Sequence, residues 1–420
     1  MCRCEPAYAE YPGQPAVLNT GDQQAASAQL ADPGSIHRRL SSFYLLFYGV
    51  LGAFLPYWAL WLVHRGYEPW QIGAVFGALG AARLFAPLAW AWLADRSGQR
   101  LLILRLVCLL ALLIFVAISQ SDGFVQLLLL TLVFALFWHA AMPLFETLTL
   151  DYLQHTGQDY TRIRLWGSVG FVLSVLLLGP VFDLISIAWL PALLIAMLLG
   201  LFLSTLRVVE PPCQPLQATE FAGLTRTLKS GPVLALLAIC FLSQFSFAPY
   251  YGFFSIFLEQ HGYSRSMIGG LWAWGVIAEI GVFLVTGRVL RRFGVRRVMM
   301  LAMASTALRW AALPWVVDSL PALLLLQSLH LSSFGLYHAC AIALIHRHFS
   351  GGQHARGQAL YSAVSFGLGG GAGALITGWA WGDWGASWVF SAAGVAGLIA
   401  MLVALRGLQP DHTVRQQIRH

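Results

Sequence analysis

The feature that most constrains this chain is a series of long apolar segments separated by short polar ones. Segments such as 101–118, 127–136 and 190–203 would be apolar on every side of a helix, and they approach the ~20 residues that a helix needs to cross a bilayer. Strands of a membrane barrel would instead alternate apolar and polar residues. With 58% apolar and 10% charged residues, the chain is predicted to be an all-α integral membrane protein.

Charged, proline and glycine clusters divide the apolar sequence into twelve predicted spans. The spans lie at 41–63, 70–93, 101–119, 124–150, 164–184, 187–206, 232–258, 266–290, 298–317, 320–345, 358–380 and 385–405. When the second half is aligned so that Gly262-Tyr263 matches Gly66-Tyr67, Gly294 also matches Gly98. The twelve transmembrane helices are therefore predicted to form two pseudo-symmetric six-helix bundles, and repeated halves around a central substrate site are typical of secondary transporters.

The longest internal polar stretch contains the only lysine and separates six spans from six, which predicts five regions. They are a disordered cytoplasmic N-terminal tail (1–40), a first bundle (41–206), a cytoplasmic central loop (207–231), a second bundle (232–405) and a cytoplasmic C-terminal tail (406–420). Basic residues concentrate in the tails, the central loop and the loops after spans 2, 4, 8 and 10, whereas the opposite loops carry only Arg65 and Arg265. This asymmetry predicts an inner-membrane protein with both termini in the cytoplasm.

Ionisable side chains inside the spans are the first candidates for function. Inserting one costs at least ~2.5–3.5 kcal/mol, so each must have a use that offsets its cost. The candidates are Arg83 in span 2, Glu146 in span 4, Glu279 in span 8, Arg309 in span 9 and His338 in span 10. The alternative is that these charges pair only to hold the two halves together.

Histidines and deep aromatic residues form a second group of candidates. His330 and His338 share one stripe of span 10, which suits either a polar cavity wall or hydrogen-bonded packing. His139 in span 4 leaves the same choice open, whereas His346, His348 and His354 flank a loop and are expected to be solvated without metal. Tyr57, Trp58, Tyr250 and Tyr251 lie deep in spans 1 and 7, where they would line a cavity for a flat substrate or simply pack.

No arrangement of residues typical of an enzyme is present in the sequence. The serines have no His and Asp at a familiar spacing, there is no phosphate-binding lysine loop, and no cofactor or metal is implied. The arginines lie between apolar segments, so a nucleic-acid partner is not expected. Energy for transport would have to come from an ion gradient or from the substrate's own gradient, so the expected partners are a small-molecule substrate, a coupling ion and the lipid bilayer, and we expect a monomer. A sensor or scaffold without transport is the remote alternative.

The loop after span 2 carries a recognisable motif. Its sequence, Leu93-Ala94-Asp95-Arg96-Ser97-Gly98-Gln99-Arg100, resembles the loop signature of the major facilitator superfamily, and Gly287 with Arg291 is a partial second copy. This resemblance implies the major facilitator fold. It also implies a cytoplasmic gate formed by Asp95, Arg96 and Gly98 against the start of span 11, near Arg356.

Within that superfamily the chain resembles the phenylpropionate permeases over about residues 41–405. The segments that carry the resemblance are Phe54-Leu55-Pro56, Pro143-Leu144, Arg164-Leu165-Trp166-Gly167-Ser168, Ala248-Pro249-Tyr250-Tyr251-Gly252-Phe253, Ala278-Glu279, Arg309-Trp310, Leu329-His330 and Ala359-Leu360-Tyr361-Ser362-Ala363-Val364. These permeases are similar to the lactose permease and nucleoside symporters, which implies proton symport. Unlike the lactose permease, this chain has Ala341 and Ile342 where an acidic residue would follow His338.

The resemblance also implies roles for the charged residues. Glu146 with Arg164, and Glu279 with Arg309 and a histidine of span 10, are similar to the groups that bind substrate and protons in the lactose permease. We therefore expect proton symport of a small organic carboxylate, aromatic in the favoured case, by alternating access. Arg83 or Arg309 would bind the carboxylate and Glu279 would carry the proton. A nucleoside or sugar symporter is the alternative.

Overall fold

The computed structural model describes residues 33–156, 159–209, 227–349 and 353–409, which contain helices and no strand. The first half is built of α1 (Pro33–His64), α2 (Pro69–Ser97), α3 (Arg100–Ser119), α4 (Phe124–Thr156), α5 (Tyr160–Leu184) and α6 (Leu190–Leu206), with a 3₁₀ turn at Ile187–Trp189. These helices contain the six predicted spans of the first half. Local turn chemistry sets their ends: Pro69 opens α2, and Gly98, with φ of 65°, closes it.

The second half contains more breaks. It is built of α7 (Gly231–Gln260), α8 (Arg265–Phe283), α9 (Thr286–Phe293), α10 (Val295–Val316), α11 (Leu320–Ser328), α12 (Tyr337–His348), α13 (His354–Ser362) and α14 (Gly370–Gly407). A π-helical turn at Leu331–Leu336 joins α11 to α12, and another at Ala363–Gly369 joins α13 to α14. Such turns are frequent at functional sites, and these two interrupt predicted spans 10 and 11.

Length and composition identify ten segments of the described chain as membrane spans. One of them, Arg356–Gly407, contains predicted spans 11 and 12, which Gly385 separates with a φ of 78° inside α14. Predicted span 9 forms most of α10, whose three arginines reduce its hydropathy. The expectation of an all-α membrane protein with twelve passes is confirmed.

The tails and the central loop lie mostly outside the described residues. Residues 1–32, 210–226 and 410–420 fall in this group. The expected N-terminal tail extended to residue 40, but α1 begins at Pro33 because Ile36 and Leu40 are buried against the other helices. The division into two bundles at a central loop stays a prediction.

Glycines bring α2 and α14 into direct backbone contact. A Cβ atom on Gly80 would lie 2.5 Å from the Cα of Gly371, and one on Gly73 would lie 2.6 Å from the carbonyl oxygen of Ala374. Only residues without side chains allow helices to approach this closely. This contact positions the candidate site, because α2 carries Arg83 and the π turn before α14 carries Phe366.

Candidate functional site

Arg309, in the middle of α10, is fully buried and is the centre of a polar network. Its Nη1 lies 2.8 Å from Nδ1 of His330 and donates to Oγ of Ser333 at 3.2 Å, and its Nη2 donates to Oε1 of Gln327 at 2.6 Å. Within the described chain these partners are all neutral side chains. Their hydrogen bonds offset part of the cost of burying the cation.

His330 connects this network to Glu279 of α8. Its Nε2 lies 3.3 Å from Oε2 of Glu279, while its Nδ1 faces Arg309. Because a guanidinium group can only donate, Nδ1 must accept, and the ring proton is assigned to Nε2, which donates to the carboxylate. A neutral histidine therefore lies between Glu279 and Arg309, the two charged groups that the resemblance grouped with a histidine of span 10.

Aromatic rings enclose the same arginine. The Cζ atom of Arg309 lies 4.4 Å from the ring centroid of Trp310, 4.7 Å from that of Tyr250 and 5.7 Å from that of Phe247. A desolvated cation over such faces gains about 2 kcal/mol or more. Tyr250, predicted as a site residue, is therefore one of the aromatic rings that surround Arg309.

Two hydrogen-bond partners of Arg309, Gln327 and Ser333, were missed by the sequence reasoning. A glutamine three residues before His330 in an apolar span is a signal that could have identified the first of them.

His338 and Tyr361 extend the network towards the second π turn. Nδ1 of His338 lies 2.9 Å from the Tyr361 hydroxyl. The rings of His330 and Phe334 stack with centroids 5.2 Å apart and planes within 3°, and those of Phe334 and His338 stack at 6.1 Å and within 6°. Among the described residues the rings of Phe334 and His330 lie between His338 and Glu279, and His330 is the histidine in direct contact with the carboxylate.

A second charged cluster lies in the first half. The hydroxyl of Tyr160 donates to Glu146 of α4, and Arg164 of α5 donates to the Tyr48 hydroxyl of α1. The Cζ atom of Arg164 lies 4.2 Å from the Tyr48 ring centroid. Glu146 and Arg164, which the resemblance grouped together, are within electrostatic range, but each makes its hydrogen bond with a tyrosine.

Arg83 differs from the other two central arginines. Its Cζ atom lies 4.2 Å from the ring centroid of Phe366, and the hydroxyls of Tyr48, Tyr251 and Tyr361 are within electrostatic range. Among the described residues it forms no ion pair with a carboxylate, and neither do Arg164 and Arg309, but unlike them it also forms no side-chain hydrogen bond. Tyr251, predicted as a site residue, therefore lies near this cation.

Other predicted site residues have packing contacts. The Tyr57 hydroxyl donates to the carbonyl oxygen of Val175 at 2.9 Å, which joins α1 to α5. The Trp58 ring stacks on Trp61 with centroids 4.6 Å apart. Among the described residues, the hydrogen bond and ring contacts of Tyr57 and Trp58 join them to residues outside the charged clusters. His139 likewise bonds through Nε2 to the Leu79 carbonyl oxygen at 3.1 Å, which favours a structural role.

Three of the predicted cytoplasmic gate residues, Asp95, Arg96 and Gly98, lie at the end of α2, where α2, α3 and α4 meet. Asp95 pairs with Arg100 at 3.0 Å, and Arg100 also pairs with Asp151 of α4 at 2.9 Å. Arg96 lies over the Trp92 ring at 5.5 Å. Arg356, the fourth predicted gate residue, lies in α13. The ion pair of Asp95 with Arg100 joins two helices of the first half, α2 and α3. The role of Asp95 in a gate between the halves therefore stays a prediction.

The fold agrees with comparisons to known proteins. The chain belongs to the MFS_1 like family, whose sequence model matches residues 37–392. The Escherichia coli (strain K12) protein named "Probable 3-phenylpropionic acid transporter" is 32% identical over 337 residues, which cover 79% of this chain and 87% of that protein. The "Maltose permease" of Geobacillus stearothermophilus is 25% identical over 382 residues, 89% of this chain and 95% of that protein.

A solved structure supports the fold independently. The crystal structure of the nucleoside transporter NupG matches with a TM-score of 0.77 at 18% sequence identity, covering 90% of this chain and 100% of NupG. The protein is therefore a membrane transporter of the major facilitator type and not an enzyme.

Proposed function

We propose that this transporter imports a small aromatic monocarboxylate together with a proton, by alternating access. The observation that carries the proposal is Arg83, a central cation that lies over a ring and, unlike Arg164 and Arg309, forms no hydrogen bond with another described side chain. The central charged groups comprise three arginines (Arg83, Arg164, Arg309) and two glutamates (Glu146, Glu279). One positive charge is left over, and a monocarboxylate would neutralise it.

The hydrogen bonds select Arg83 over Arg309 as the group that binds the carboxylate. Both Nη atoms of Arg309 are bonded to Gln327, His330 and Ser333, and its side chain is fully buried. Arg83 is partly accessible and meets a ring face, so its N–H groups can form the paired hydrogen bonds that a carboxylate accepts. The hydroxyls of Tyr48, Tyr251 and Tyr361 would add donors nearby.

The aromatic side chains near the charged groups support an aromatic substrate. Phe334 and Tyr251 are partly exposed near the charged groups, and flat rings stack favourably on such side chains. The relative named for 3-phenylpropionic acid, a phenyl ring on a short carboxylic acid, supports the same class.

Glu279 is the proposed proton carrier. Its carboxylate accepts from His330 and is 16% exposed, so a proton could reach it. Protonating His330 instead would place a second N–H against the Arg309 donor, which is unfavourable. His330 is therefore proposed to stay neutral and to connect the protonation state of Glu279 to Arg309 through its two ring nitrogens.

The membrane orientation is also a proposal. The concentration of arginines in the tails and alternate loops supports cytoplasmic termini in an inner membrane. One chain supplies both charged clusters, which supports a monomeric carrier. Reporter fusions after Arg265 and Lys229 should lie in opposite compartments.

Uptake by proteoliposomes tests the function. Radiolabelled 3-phenylpropionate should accumulate when the outside is acidic, and a proton ionophore should abolish accumulation. Unlabelled maltose and uridine serve as competitors for the alternative, a neutral substrate rich in hydroxyls. Transport of radiolabelled maltose or uridine, without transport of the carboxylate, would contradict the proposal and favour that alternative.

A further inference from the structure

Phe366 lies at the closest contact between α2 and the second π turn. A Cβ atom on Gly367 would lie 2.4 Å from Cδ2 of Leu84, and one on Gly80 would lie 3.0 Å from the Gly367 carbonyl oxygen. This close approach places the Phe366 ring 4.2 Å from Cζ of Arg83. The contact joins a helix of the first half to a turn of the second.

The neighbours of Phe366 hold its ring in place. Tyr361 meets it edge to face with centroids 5.9 Å apart, and the Tyr361 hydroxyl is bonded to Nδ1 of His338 at 2.9 Å. Tyr361 is buried, with 4% of its surface exposed. The orientation of Phe366 is therefore set by a hydrogen-bonded residue of its own half, independently of Arg83.

We propose that Phe366 is a positioning residue for substrate binding, and this inference rests on the function proposed above. Its ring attracts the guanidinium of Arg83 and fixes its place without using a carboxylate. An acidic residue in the same position would pair with Arg83 and compete with the substrate for its donors. A ring face leaves those donors free to bind the carboxylate.

Binding to the purified full-length protein tests this role. Titration calorimetry would compare 3-phenylpropionate with its neutral amide, 3-phenylpropanamide. Phe366→Leu should weaken binding of the anion about five- to thirtyfold, the range of cation–π contacts at partly to fully desolvated sites, and change binding of the amide less than about twofold. Phe366→Tyr should retain the affinity. In transport, Phe366→Leu should raise KM and leave the maximal rate unchanged.

The controls separate this inference from the function on which it rests. Leu368→Ala alters an exposed side chain of the same turn and should leave both affinities unchanged. Phe366→Met replaces Phe366→Leu if that variant does not fold. An unchanged anion affinity, or an equal loss for anion and amide, would overturn the positioning role while the carboxylate specificity stands. Wild-type protein that binds the two ligands equally, or neither, would overturn the proposed function and this inference with it.

Discussion

The carboxylate of Asp183, near the end of α5, accepts a hydrogen bond from the backbone N–H of Ser266, in the first turn of α8, at 3.1 Å. It also accepts from the N–H of Arg265 at 2.8 Å and from the Ser266 hydroxyl. An anion at a helix N-terminus is favourable because the first N–H groups have no partner inside the helix. The contact therefore joins the two halves at one end of the bundle.

Asp183→Asn should loosen this junction. The loss of the charge should cost about 0.3–1 kcal/mol at such an exposed helix end and should favour conformations in which α5 and α8 separate. Spin labels on the exposed residues Ser186 and His261 would measure the separation by pulsed electron resonance. Asp122→Asn, at another exposed loop, is the control. The same distance distribution in both variants would show that Asp183 does not hold the halves together.

Glu279→Gln should uncouple transport from protons. The amide oxygen can still accept from His330, so the network should persist, but the side chain can no longer bind and release a proton. Exchange of labelled for unlabelled 3-phenylpropionate should continue, and accumulation driven by a pH gradient should be lost. Glu259→Gln, in a surface ion pair with Arg265, should keep both activities. If Glu279→Gln still accumulates substrate in response to a pH gradient, another residue must bind the proton, and Glu146 is the next candidate.

Uptake should be electroneutral. The empty site has one excess positive charge from Arg83, and adding one carboxylate and one proton restores the same total. The loaded and the empty carrier would thus change between their outward-facing and inward-facing conformations with the same net charge at the site. Accumulation should respond to a pH gradient and be unchanged by a potassium diffusion potential set with valinomycin. An uptake rate that changes with the membrane potential would show that the number of protons carried with each carboxylate is not one.

His330→Ala should destabilise the protein more than His338→Ala. Removing His330 takes a hydrogen-bond partner from Arg309, which is fully buried, at a cost of about 1–3 kcal/mol. His338 is partly exposed and its partner, Tyr361, is a neutral hydroxyl, so its loss should cost about 1 kcal/mol. Thermal unfolding in detergent would compare the two. Equal stability losses would mean that Arg309 does not depend on the histidine.

Gly80→Ala should disturb the contact between α2 and α14. The added methyl group would lie 2.5 Å from the backbone of Gly371, and relieving that overlap should cost about 1–3 kcal/mol. Gly270→Ala provides a matched control, because no atom lies within 4 Å of the added Cβ. That change should leave stability unchanged or raise it by about 0.4–1 kcal/mol. Equal melting temperatures for the two variants would contradict the close packing.

The sequence by itself determined the fold class and the charged residues worth testing. Hydropathy depends on each segment alone, so the apolar segments predicted the spans, and the insertion cost singled out Arg83, Glu146, Glu279 and Arg309. The same reasoning could not tell a cavity residue from a packing residue. Trp58 and Tyr251 are both aromatic residues deep in spans, yet Trp58 packs on Trp61 and Tyr251 lies near Arg83.

Only the tertiary structure decided which of these side chains meet. It placed His330 between Glu279 and Arg309, and Phe366 against Arg83, although Arg83 and Phe366 belong to opposite halves of the chain. These contacts depend on how closely α2 approaches the second π turn. Helix packing of this kind follows from the shapes of distant segments together, and local composition does not encode it.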